Sequence, residues 1–196
     1  MRKYIVLSLI LTGFFANGQE VLRDTINEGS VEKNLYGVQL GIVSGSFQYE
    51  TKLNRKIALR VEIGTELFYY TRDYIDPNMD DKTFSLMVPY LCLEPRWYYG
   101  IDRRNKLGKN IKGNSSNYVS LKTAYLFSNI PITNSSNFNV NASMYIVPKY
   151  GIRRVFAKRF NYEFSGGVGY QHTFNNSVND NDIFIDLQAR IGYNFN

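Results

Sequence analysis

Few residues in this sequence have a type and spacing that could do covalent chemistry. His172 is the only histidine. A histidine acting as general base needs a hydroxyl or thiol within reach and an acid to hold its ring. Thr173 and Phe174 follow it, no serine sits two residues on, and its parity places it on an apolar strand face. An interfacial side chain is the reading that fits. Cys92 is the only cysteine, so no intrachain disulfide can form, and no general base stands beside it to favour a thiolate. Asp76, Asn78, Asp80 and Asp81 open like a calcium loop. The pattern then fails, because Asp81 stands where a glycine is required and Met87 where the closing glutamate belongs. A solvated acidic loop is expected there. There is no glycine-rich phosphate loop after a strand and no zinc spacing, so no metal, cofactor or catalytic residue is expected.

Two charged sets remain. Arg60, Glu62, Glu66, Glu94, Arg96, Lys122, Lys149, Arg153, Glu163, Asp186 and Arg190 occupy alternate positions in segments whose other positions are large and apolar. Charges of both signs on one face predict an ion-pair network if that face is enclosed, since unpaired buried charge is costly. Arg103, Arg104, Lys106, Lys109 and Lys112, against Asp102, make residues 100–117 (GIDRRNKLGKNIKGNSSN) strongly basic.

The elements that position these residues read as strands. In the stretch 183–196 (IFIDLQARIGYNFN), Ile183, Ile185, Leu187, Ala189, Ile191, Tyr193 and Phe195 share one face. Phe184, Asp186, Gln188, Arg190, Gly192 and Asn194 share the other. Period-two alternation is the signature of a strand between an apolar and a polar medium. The same pattern recurs from Leu35 to Tyr49, Ile57 to Tyr69, Phe84 to Tyr99, Tyr118 to Phe127, Phe138 to Ile152 and Phe160 to Gln171. Around Ser44-Gly45 the parity switches. A two-residue turn there would set Ile42 opposite Phe47 and supply an eighth strand; a bulge in one long strand is the alternative. Most segments exceed the ~9–11 residues that a tilted strand needs to cross a bilayer.

A soluble barrel would alternate too, with its apolar face inward. The polar face argues against that arrangement. It carries Gly41, Gly64, Gly151, Gly167, Gly169 and Gly192, and glycine on a water-exposed strand only weakens it. In a narrow barrel interior, glycine makes room for long neighbours. Pairing the third and fourth strands sets Arg60 near Glu94, and pairing the sixth and seventh sets Arg153 diagonal to Glu163.

The termini supply a compartment. Met1-Arg2-Lys3, an apolar run from Tyr4 to Phe15, and small residues before Gln19 read as a secretory signal peptide over residues 1–18. Residues 19–34 read as a flexible polar lead-in, and 35–196 as one barrel domain. The final strand, closing on Tyr193 and Phe195, resembles the terminal strands that the outer-membrane barrel assembly machinery reads. Export without the signal leaves 21 basic against 17 acidic residues, a net of +4 that equals the excess of 100–117. Counting back from a periplasmic C-terminus puts 100–117 in the periplasm, either as a solvated basic turn following lipid phosphates or as a docking site for an anionic periplasmic partner. Nucleic acid does not fit this compartment.

The runs Glu94-Pro95-Arg96-Trp97-Tyr98-Tyr99, Arg103-Arg104, Gly108-Lys109, Asn114-Ser115-Ser116-Asn117-Tyr118 and Ile146-Val147-Pro148-Lys149-Tyr150-Gly151-Ile152-Arg153-Arg154 resemble a family of uncharacterised small bacterial outer-membrane β-barrel proteins. In size and strand count the chain is also loosely similar to eight-stranded OmpA-type barrels. The resemblance implies an outer-membrane location and transfers no activity. The expectation is therefore all-β: an eight-stranded antiparallel up-and-down transmembrane β-barrel, monomeric, not an enzyme, with charged side chains filling its interior. A structural or interaction role follows. A membrane-embedded lipid-modifying enzyme and a narrow solute pore are the alternatives.

Overall fold

The computed structural model describes residues 28–72, 82–128, 132–133, 141–174 and 180–195. The segment read as a signal peptide, the first part of the expected lead-in, the calcium-like residues Asp76 to Asp81 and most of the polar loops 129–137 and 175–181 lie outside them. The strands are β1 (Asn34–Gly41), β2 (Ser44–Asn54), β3 (Ile57–Arg72), β4 (Lys82–Trp97), β5 (Asn117–Leu126), β6 (Ile132–Thr133), β7 (Ser143–Phe156), β8 (Phe160–Thr173) and β9 (Asp180–Asn194). Between β4 and β5 lie a short helix α1 (Ile101–Lys106) and a 3-10 turn over Lys112–Asn114.

All pairings are antiparallel, and β1 pairs with β9 as well as with β2, so the sheet closes on itself. Eight long strands form the ring. The two-residue β6 pairs with Leu86 and Met87 of β4, beyond the end of β5. The result is a closed, eight-stranded, all-antiparallel barrel. Closure removes every sheet edge that could recruit another chain.

The β1–β2 connection is a hairpin, but its turn is Ile42-Val43 rather than Ser44-Gly45. Leu40 faces Gly45 and Val38 faces Phe47, so Phe47 does not meet Ile42. The alternation could not distinguish these registers, because an even slip, here of four residues, keeps every side chain on its own face. Three-way pairing decides it instead, since Gly45 also sits opposite Thr65 of β3 while Leu40 sits opposite Ile191 of β9.

Alternation divides the barrel sharply. Inward residues of the end nearer the 72–82 connection are mostly apolar: Leu86, Val88, Tyr90, Cys92, Ala124, Leu126, Tyr145 and Val147 pack together, with Phe68 and Phe184 against them and the Lys122–Glu66 pair set among them. The middle is charged. At the other end, Val31, Ala58, Tyr98, Ile101 and Tyr118 form a second cluster that joins α1 to the ring. Residues 28–33, part of the polar lead-in, run along this end, where the Val31 N–H donates to the Arg55 carbonyl at 2.9 Å.

Candidate functional site: the charged interior and its basic end

Four arginines and four glutamates meet inside the barrel. Arg60 of β3 donates through Nε and Nη2 to Glu50 Oε2, each at 3.2 Å, and through Nη1 to Glu62 Oε1 at 3.0 Å. It also reaches both oxygens of Glu163, at 3.3 and 3.1 Å. Arg96 grips Glu163 with two bonds of 2.9 Å and donates to Glu94 at 2.6 Å. Arg153 reaches Glu163 at 3.3 Å, and Arg190 binds both oxygens of Glu62 at 2.9 and 3.0 Å. Glu163 thus faces three guanidiniums. Four positive against four negative groups leave this cluster neutral, as burial at 0–5% exposure demands.

Uncharged donors use the remaining oxygens. Tyr118 donates to Glu163 Oε1 at 2.9 Å, Ser120 to Glu94 Oε1 at 2.6 Å and Tyr98 to Glu50 Oε1 at 2.7 Å. The Asn114 amide, carried in by the 100–117 connection, also donates to Glu50, at 2.5 Å. Gly113 and Asn114 both adopt left-handed backbone, with φ of 58° and 59°, which turns the chain so that this amide points into the barrel. Only glycine and, less readily, asparagine take that conformation cheaply. A Cβ on Gly113 would also lie 2.8 Å from Val155.

The remaining four of the eleven charged positions form two separate pairs. Lys149 meets Asp186 at 3.1 Å, and Lys122 lies 3.7 Å from Glu66, with the rings of Tyr145 and Tyr90 at 4.9 and 5.6 Å. Arg60 and Glu94 are cross-strand partners, yet each bonds elsewhere; Arg153 and Glu163 are directly opposite rather than diagonal. Glu50 is the central residue that the sequence reading missed. Its signal was present, because it alternates with the outward Phe47 and Tyr49.

Every carboxylate has an arginine or lysine partner, and no nucleophile is poised among them. Cys92 is buried in the apolar cluster. His172 Nδ1 lies 2.7 Å from Asn181 Oδ1, and its ring contacts Phe174 edge-on at 4.8 Å. Among the described residues no group of acidic, histidine or cysteine side chains could hold a metal ion.

The basic connection is folded onto the barrel rather than extended from it. Ile101, Asn114, Ser115 and Ser116 are buried. Asp102 receives Arg55 at 2.7 Å and Lys56 at 2.5 Å, which ties α1 to the β2–β3 turn. Burial tends to raise the Asp102 pKa, but hydrogen bonds from Lys56 and Arg55 outweigh it and hold the carboxyl below its ordinary range. Of the five cations, Arg103, Lys106, Lys109 and Lys112 are exposed and Arg104 half-buried.

No family model matches the chain, and no curated protein matches it. Among solved structures, the crystal structure of Acinetobacter baumannii CarO2 is similar at 10% identity, covering 83% of this chain and 97% of that one, with a TM-score of 0.37. That likeness is too slight to bear on function; the closed eight-stranded barrel rests on its own strand pairing.

Proposed function

We propose that this chain is an outer-membrane β-barrel with a structural or interaction role in the bacterial envelope, its interior filled by charged side chains. The observation that carries the reading is an inversion of burial. Arg60 is 0% exposed, whereas Leu187 is 79% and Ile185 73% exposed. A protein bathed in water on its outer surface gains nothing from that exchange; one bathed in lipid requires it.

The outer surface supports the same reading by its zoning. Leu40, Ile63, Leu91, Leu93, Ile146, Val168, Ile185 and Leu187 form an exposed aliphatic belt. Below it, Tyr36, Phe195, Tyr193, Phe160 and Phe156 touch in a chain of ring contacts of 5.1–6.5 Å, and Trp97, Tyr99 and Tyr150 form another of 6.0 and 6.4 Å. Above it lie Tyr125, Phe127, His172 and Phe174. Two aromatic girdles around an apolar belt match the interfaces of a bilayer. The end bearing α1 is the periplasmic one in this reading, and residues 1–18 are the export signal.

The protein should need detergent for extraction and run at different positions on gels before and after boiling, as folded barrels do. Solubility of the mature chain in plain buffer would refute the assignment. Planar-bilayer recordings should show no unitary conductance if, as in this reading, the charged layer fills the interior; stable ion currents would favour the pore.

A further inference from the structure

The cations that follow β4 do not make one surface. Lys106 is solvent-exposed, and Lys112 lines a different cavity at the barrel end, beside Lys158 and Arg159. Arg103, Arg104 and Lys109 instead line a recess of about 210 Å³ whose walls include Tyr99, Asn117 and Arg154. Arg154 comes from β7 and lies on its outward parity, next to the inward Arg153, so the sequence run alone did not reveal it.

The recess is positive and has no acid of its own. Arg154 donates to Asn117 Oδ1 at 2.6 Å and to the Arg153 carbonyl at 2.7 Å, and Arg104 donates twice to the Asn110 carbonyl, at 2.9 and 3.3 Å. All of these acceptors are neutral. Asp102, the acid within the same segment, is turned away to Arg55 and Lys56. Among the described residues neither Arg103 nor Lys109 makes an ion pair. Four like charges around one recess repel one another, and a bound anion would relieve that repulsion.

Depth identifies the anion. Tyr99 belongs to the aromatic band with Trp97 and Tyr150, and Asn117 donates to the Tyr150 hydroxyl at 3.0 Å. Aromatic bands mark the level of lipid headgroups, so the recess opens where phosphates lie. We propose that Arg103, Arg104, Lys109 and Arg154 form a headgroup site for an anionic glycerophospholipid, its acyl chains lying on the apolar outer face of β4, β5 and β7. Guanidinium forks match phosphate geometry. A zwitterionic headgroup brings its own ammonium into an already cationic recess, so a net-anionic lipid is preferred. The site rests on the membrane-barrel reading above.

Native mass spectrometry of the full folded barrel in detergent tests it, with phosphatidylglycerol and phosphatidylcholine of matched chains as probes. Wild-type protein should retain one phosphatidylglycerol in preference to phosphatidylcholine. Arg104→Gln with Arg154→Gln should weaken retention roughly tenfold, the range of lost charge-assisted contacts. Arg103→Gln with Lys109→Gln, at side chains that make no ion pair among the described residues, should weaken it in the same direction, and Lys106→Gln should not change it. Equal retention of both lipids, or unchanged retention in both double variants, would overturn the site while leaving a detergent-dependent barrel intact. Release of the lipid by millimolar inorganic phosphate would overturn the lipid in favour of free phosphate. A chain that needs no detergent would instead remove the membrane reading beneath the site.

Discussion

Arg60 illustrates how the interior is held at the scale of single residues. Its guanidinium contacts Glu50, Glu62 and Glu163 and has no exposure to solvent. Removing it leaves three carboxylates short of one partner in a site that water does not reach. Arg60→Ala should therefore cost on the order of 3 kcal/mol, as for breaking a buried ion pair, read by denaturant unfolding of the folded barrel in detergent. Glu94 should be little affected, because its bonds run to Arg96 and Ser120. Gly151 gives a second case. A Cβ there would lie 2.2 Å from the Tyr118 ring, which carries Arg96 on one face at 4.2 Å and donates to Glu163. Gly151→Ala should cost roughly 1–3 kcal/mol through overpacking, measured in the same way. A neutral result would mean that the ring can move aside without losing its bonds. Alternation put Arg60, Gly151 and Glu163 on one face, which is why this set was legible. Which carboxylate each arginine grips was not, because long side chains cross the barrel to residues such as Glu163, 103 positions away from Arg60.

At the scale of elements, most strands were legible, and two connections were not. Period-two alternation survives wherever a strand separates two media, so six of the eight long strands could be read directly, while the division of the first alternating stretch into β1 and β2 hung on a turn that the pattern left open. Ile42-Val43 could not be read as a turn, because both are apolar and strand-forming. Residues 100–117 looked like a solvated loop, since nothing in their composition announces that Ile101 and Asn114 are buried. The helix they contain depends on contacts to other elements, chiefly Asp102 with Arg55 and Lys56. The Asp102 carboxyl is held below its ordinary pKa by these partners. Its contribution to docking of α1 is thus present above the ordinary carboxylate range and is lost as pH falls through and below it. Protease cleavage within 101–112 should accelerate at acid pH in the wild-type protein. Asp102→Asn should cleave faster at neutral pH and show a weaker acid dependence; an unchanged profile would show that α1 is held without this pair.

For the whole molecule, the medium around the barrel decides whether its layers are stable. Charged side chains occupy the middle of the interior, mostly apolar side chains fill one end of it, and a folded connection covers the other. Each layer would be destabilising if the outer belt faced water, because exposed Ile185, Leu187 and their neighbours would then offer a large aggregating surface. The belt itself is therefore the place to test. Leu187 lies on β9 between Ile183 and Ile191, midway between the aromatic girdles, and is 79% exposed. The measurement is the unfolding free energy of Leu187→Arg in phospholipid vesicles, against wild type. Lipid contact at mid-depth predicts a loss of about 2–4 kcal/mol. A change below roughly half a kcal/mol, the usual effect of a surface substitution in water, would contradict it.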